Sequence, residues 1–209
     1  DAQPMEEDVE DYGRIDIAFQ NAKQVFSKCL RCFAKKEWAE ADAYASHAVT
    51  AFEDIHLRWG DQVLQNMGFK QSYFCAIYMS AKTASEVTFR RIVAKQTIAL
   101  TNLEELTQKW NLALDMSKKL KQEKIIDSFS YLETLASALS CLYRCQVKTA
   151  VEVFPKYNKV CSTLCKLQQM YISSGKDDGH IKKFISQIKP LHQHLLQKAG
   201  KNRYNNQRW

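Results

Sequence analysis

The chain has 209 residues, 45% of them hydrophobic, with a formal charge of +7, six Gly, three Pro and seven Cys. That length supports one substantial core, with a single domain as the simpler reading, while the lack of any run of about 18 apolar residues excludes a bilayer-spanning helix. Charge is polarised along the chain: residues 1–60 hold 7 Lys/Arg against 12 Asp/Glu, and residues 61–209 hold 23 against 11, so an acidic partner for the later two thirds is physically reasonable.

No Gly or Pro lies between Phe69 and Phe154, which starves this stretch of the usual turn residues and predicts long helices. At the start, Glu6, Glu7, Asp8, Glu10 and Asp11 with few apolar neighbours predict a flexible acidic leader over residues 1–13. Its charge also suits a helix N-terminus just upstream of Ile15. The chain begins at Asp1 without an initiator Met, as expected of a domain excised from a longer protein. The helical domain is predicted over residues 14–200, with 201–209 as a basic tail.

Ile15, Ala22 and Cys29 share one stripe of a helix with Phe19, Phe26 and Phe33. After the polar elbow Ala34-Lys35-Lys36-Glu37, the residues Trp38, Ala41, Ala45, Ala48, Phe52, Ile55 and Trp59 recur at spacings of three and four. These are two amphipathic helices that must face each other, the small residues of the second allowing close approach.

The pattern Trp38-x-x-Ala41-x-x-x-Ala45-x-x-Ala48-Val49 resembles the second helix of a tetratricopeptide hairpin. Cys29 takes the small position of the first helix, whereas Cys32 stands where an aromatic is usual. The resemblance covers residues 15–59, and no 34-residue recurrence extends it. It implies a stack of helical hairpins and a protein-interaction scaffold.

Gly60-Asp61 is predicted to break the second helix, and Gly68 to interrupt the short segment that follows. A third helix runs through Tyr73, Phe74, Ile77, Tyr78 and Ala81, after which Thr83-x-x-Glu86 has the form of a capping box opening a fourth. From Val87 to about Leu120 the apolar spacing is helical throughout, so one long helix is expected, with Thr101-x-x-Glu104 marking where it would otherwise break. Ile125–Phe154 forms the next helix and Pro155 ends it; a short helix from Tyr157 to Tyr171 stops at the loop 173–179. A last helix over 181–196 carries a kink at Pro190. The fold class is therefore all-α: one domain of six or seven antiparallel helices, either a bundle or a tetratricopeptide-like stack, with Phe19, Phe26, Trp38, Phe52, Phe74, Leu103, Leu139 and Leu164 in the core.

Chemistry-bearing motifs are few. Cys29-x-x-Cys32 is half of a zinc site, and Cys141/Cys145 and Cys161/Cys165 share helical faces, but their apolar neighbours favour small core thiols over metal ligands. Glu53-x-x-His56 has the spacing of a carboxylate-bridged di-iron site without the second copy such a site needs. No Gly-rich phosphate loop, Gly-x-Ser-x-Gly elbow or His-Glu-x-x-His helix occurs, so neither an enzyme nor a cofactor is predicted. Odd cysteine usage and the absence of Asn-x-Ser/Thr fit a cytoplasmic or nuclear address.

The leading functional expectation is a non-enzymatic scaffold or adaptor that binds a peptide or helix of another protein, an acidic one in keeping with the charge, with Tyr44, Trp59, Trp110 and Tyr131 as exposed-prone aromatics. The alternative is nucleic-acid binding through the basic surface of residues 61–209. Candidate partner- or nucleic-acid-binding residues are Arg90, Arg91, Lys95, Lys118, Lys119, Lys121, Lys124, Lys182 and Lys183.

Overall fold

The first hairpin forms where its two apolar stripes predict it. In the computed structural model, which describes residues 6–149 and 157–175 with single helical positions at 193 and 197, α1 spans Glu6–Ala34 and α2 spans Trp38–Leu64. Ala22 and Cys29 of α1 and Ala41, Ala45 and Ala48 of α2 are fully buried, and small side chains at these positions bring the two backbones together. Ring contacts fix the direction: Phe19 meets Phe52 at 6.1 Å and Phe33 meets Trp38 at 5.1 Å, so the helices are antiparallel.

Four more helices follow: α3 (Met67–Val93), α4 (Leu100–Gln122), α5 (Ser128–Thr149) and α6 (Tyr157–Ser174). The all-α class is as predicted, and no strand occurs among the described residues. Cross-helix contacts sort the helices into two directions. Phe19 meets Phe69 and Lys82 lies over Phe33, so α1 and α3 are parallel with a displacement of about 50 residues. Tyr78 bonds Ser137 at 3.0 Å and Arg144 bonds Glu86 at 2.7 Å, so α3 and α5 are parallel with displacements of 59 and 58. Lys70 meets Glu123 while Trp110 meets Ser85, which makes α4 antiparallel to α3; Phe129 against Tyr171 does the same for α6 and α5. The odd-numbered helices therefore run parallel, α3 packing broadly on α5 and only lightly on α1, while the heaviest packing joins α2 to α1 and to α3, and α4 sits against α3 and α5.

The core follows this order. One cluster joins α1, α2 and α3 around Phe52, Ile55, Val63 and Phe69; a second joins α3, α4 and α5 around Ile77, Leu106, Trp110, Ala113, Leu142 and Cys145. Helix α3 belongs to both, which explains the burial of Ser80, Thr83 and Ser85 on it. Each finds a partner: Lys109 Nζ donates to Ser80 Oγ at 3.1 Å, Thr83 Oγ1 to Asp42 Oδ1 at 2.9 Å, and Trp110 Nε1 to Ser85 Oγ at 2.9 Å. Such pairing is what makes buried hydroxyls affordable in a core.

Of the predicted core, Phe52, Phe74, Leu103 and Leu139 are buried, while Phe19 and Phe26 pack against its rim. Trp38 is only half-buried. The side chain of Leu164 lies outside the described residues, as do Pro155, the helix predicted over 181–196 apart from Gln193, and the basic tail 201–209.

Several boundaries differ from prediction. Residues 6–13, expected in a flexible leader, form the first two turns of α1. Gly60 does not end α2 but kinks it, with φ 38° and ψ −112°, a conformation that favours glycine. Gly68 lies inside the first turn of α3, whose N-cap is Asn66, its side chain accepting from Phe69 N at 3.1 Å. Thr83 and Glu86 are no capping box: they lie inside α3 and turn to Asp42 and Arg144. The long helix expected from Val87 to Leu120 is two helices separated at residues 94–99. Ala99 caps α4 without a side-chain bond, so the predicted box at Thr101 does not supply its cap. Helix α5 begins at Ser128 rather than Ile125, because the Asp127 carboxylate accepts from Ser130 N at 2.7 Å and from Ser130 Oγ at 2.8 Å.

Candidate functional site

Helix α3 ends beside the start of α2 and the later turns of α5, and between the end of α3 and α5 lies an open depression of about 380 Å3. It is lined by Glu86, Phe89, Arg90 and Val93 of α3, by Ala94 just past its end, and by Arg144 of α5. The spacing 86, 89, 90, 93 places four of these on one face of α3. Val93 is 57% exposed, as is Leu100 just across the 94–99 connection.

Both arginines are braced by aromatic faces. The Arg144 guanidinium lies 4.7 Å from the Phe89 ring centroid and bonds Glu86 Oε1 at 2.7 Å. Arg90 lies 4.9 Å from the Trp38 ring, and no carboxylate stands within 4.0 Å of it among the described residues. Trp38 is itself held edge-on by Phe33. Further along the odd-helix layer, Lys82 lies 5.4 Å from the Phe33 ring and 5.5 Å from the Tyr78 ring, spanning α1 and α3. Stacking of this kind fixes cations in place without neutralising them. The arrangement offers positioned donors beside apolar surface, suited to recognising carboxylate or phosphate oxygens.

Burial holds several core phenols and thiols in their protonated forms. Burial pushes the Tyr78 hydroxyl well above the usual phenol range, and burial together with the Glu53 carboxylate pushes Tyr73 up to about 12. The Cys29 thiol is pushed up to about 11 by burial first, then by Cys32 and Asp42. Cys145 reaches about 12 through burial and then Cys141. Both are protonated core thiols near neutral pH, unlike activated nucleophiles. Glu53 interacts with Tyr73, and among the described residues no three His, Cys, Asp or Glu side chains converge as metal ligands.

The sequence-predicted cations do not share one surface. Arg90, Arg91 and Lys95 lie at the C-terminal end of α3, and only Arg90 lines the depression. Lys118, Lys119, Lys121 and Lys124 lie at the end of α4, where Glu123 meets Lys70 at 2.7 Å and Ile125 O accepts from Gln71 at 3.2 Å. That end sits near residue 70 of α3, about 30 Å from residue 90 at the helical rise of 1.5 Å. Lys95 and Lys124 also close helices, with φ 56° and 60°, and Lys121 stacks on Tyr131 at 5.0 Å. Lys182 and Lys183 lie outside the described residues.

Among the predicted aromatics, Trp110 is fully buried instead of exposed; Tyr44, Trp59 and Tyr131 are half-buried. Sequence reasoning missed Glu86 and Arg144 as a pair, since 58 residues separate them, and Arg144 stands in a helix whose one other cation is Lys148, too few to flag a basic cluster. No helix among the described residues is long and apolar enough to cross a membrane. Comparison of the chain with protein families, curated proteins and solved structures finds no match.

Proposed function

We propose that the protein is a non-enzymatic scaffold or adaptor whose odd-helix layer holds a peptide or helix of another protein within a larger assembly. The observation that carries the reading is the run of odd-numbered helices: α1, α3 and α5 are parallel, α3 packs broadly on α5 and narrowly on α1, and cations stacked on aromatic rings bridge both seams. A stack of hairpins in series, akin to tetratricopeptide architecture but with a longer displacement, supports the same reading, because such stacks present one continuous face to a partner. Partner recognition by a rigid helical face needs aromatic and arginine anchors, and Trp38, Phe89, Arg90 and Arg144 supply them.

Affinity capture of the tagged chain from cell extract, followed by mass spectrometry, tests it. A protein recovered in stoichiometric amount and retained after nuclease treatment is expected. Recovery of no protein above background, or of nucleic acid alone, would sink the reading and favour binding through the basic surface of residues 61–209.

A further inference from the structure

Resting on the scaffold reading, we infer that the depression at the end of α3 is the docking point for an acidic peptide segment carrying one large apolar anchor residue. Its lining divides into two functions. Phe89, Val93 and Ala94 offer an apolar floor and rim, and Val93 is 57% exposed, so an apolar side chain placed there would cover surface now in water. Arg90 and Arg144 stand beside that floor against the single carboxylate of Glu86. Glu86 neutralises Arg144, and Arg90 is left with a ring on one side and solvent on the other.

Charge complementarity therefore selects an acidic occupant. A guanidinium pre-positioned on Trp38 loses little freedom on pairing with a carboxylate, and its planar fork admits a bidentate contact. The half charge of the α3 C-terminus opposes this pull only in part, since Arg91 and Lys95 on the same last turns add to the positive side. A nucleic-acid strand fits less well. Its phosphates would meet Glu86 and an apolar floor, and the cations at the end of α4, Lys118, Lys119, Lys121 and Lys124, lie about 30 Å away at the far end of α3.

Random twelve-residue peptides displayed on phage and selected on the immobilised whole chain provide the test, with the enriched peptides remade as fluorescein-labelled probes. Asp/Glu-rich sequences with one large apolar residue are expected. Their affinity should fall about tenfold or more with Arg90→Glu and with Val93→Asp, while Lys118→Glu at the far end changes it less than about twofold. Arg90 and Val93 are surface residues, and unchanged melting of both variants separates lost docking from lost folding. Failure to enrich any peptide, enrichment of basic or uncharged ones, full affinity in Arg90→Glu, or tighter binding of a labelled twelve-nucleotide DNA strand would overturn the inference. If the wild-type chain and Arg90→Glu capture the same protein partner equally from extract, this docking point fails while the scaffold reading survives. If wild type captures none, the scaffold reading falls first.

Discussion

Three helices of this chain end on a lysine in the left-handed conformation: Lys36 at φ 64°, Lys95 at 56° and Lys124 at 60°. Each makes the same paired bonds. Lys36 N reaches Phe33 O and Glu37 N reaches Cys32 O; Lys95 N reaches Ile92 O and Gln96 N reaches Arg91 O; Lys124 N reaches Lys121 O and Ile125 N reaches Leu120 O. This is the Schellman closure, in which glycine is the usual occupant. Holding a side chain at positive φ costs about 1–2 kcal/mol, and a glycine returns about 0.4–1 kcal/mol of that through its looser unfolded state. Comparing glycine with alanine at the same position removes the cation from both, so the difference isolates the backbone. We expect the Gly variant at each site to exceed the Ala variant by about 1 kcal/mol, and the triple Lys→Gly chain to gain about 2 kcal/mol over wild type, because the sites share no partners. At roughly 2–4 °C per kcal/mol, calorimetry should register a Tm rise of about 4–8 °C. The sign at residue 95 is decisive. In an unbroken helix glycine would be about 1 kcal/mol worse than alanine, so Lys95→Ala more stable than Lys95→Gly would refute the break between α3 and α4.

The buried Trp110–Ser85 bond should be measurable as a coupling. Trp110→Phe is expected to cost about 2 kcal/mol, and a double-mutant cycle with Ser85→Ala to return about 1 kcal/mol; additive losses would mean that the 2.9 Å contact contributes nothing. Alkaline pH should weaken the fold. Cys29, Cys145 and Tyr73 hold their protons up to about 11, 12 and 12 in the native state but release them at about 8.5 and 10 when unfolded. The native state thus binds more protons in this window, so stability is complete below about pH 8.5 and falls as pH rises toward 12. Urea midpoints that stay level or rise between about pH 9 and 11 would contradict this, and Tyr73→Phe should flatten the decline above about pH 10.

Much of the fold was legible because burial writes a period into sequence. The stripes of α1 and α2 named Ala22, Cys29, Ala41, Ala45, Ala48 and Phe52, and all six are fully buried. What was not legible depends on contacts between distant residues. The break at residues 94–99 carries no Gly or Pro, since Lys95 takes the role that glycine usually signals. Thr83 and Glu86 match a capping box by spacing, yet their partners lie 41 and 58 residues away. Trp110 looked like a surface anchor because amphipathic spacing does not say which stripe two neighbouring helices will cover; α4 packs it between Tyr78 and the Ser85 hydroxyl. The tetratricopeptide-like hairpin had no echo at 34 residues because successive odd helices are displaced by about 50 and then by 58 or 59. Basic residues could be counted from sequence, but only the antiparallel course of α4 shows that Lys118–Lys124 end up away from Arg90.

The claim that a protein partner lies on the odd-helix layer can be tested most directly by photocrosslinking in cells. A benzophenone amino acid is placed at Val93 in one chain and at Leu112 in another, two exposed apolar positions at 57% and 48%, the first on the depression and the second on α4. The account predicts a discrete protein adduct from position 93, lost on adding Arg90→Glu, and background from position 112. An adduct from position 112 alone, or none from position 93, would contradict it.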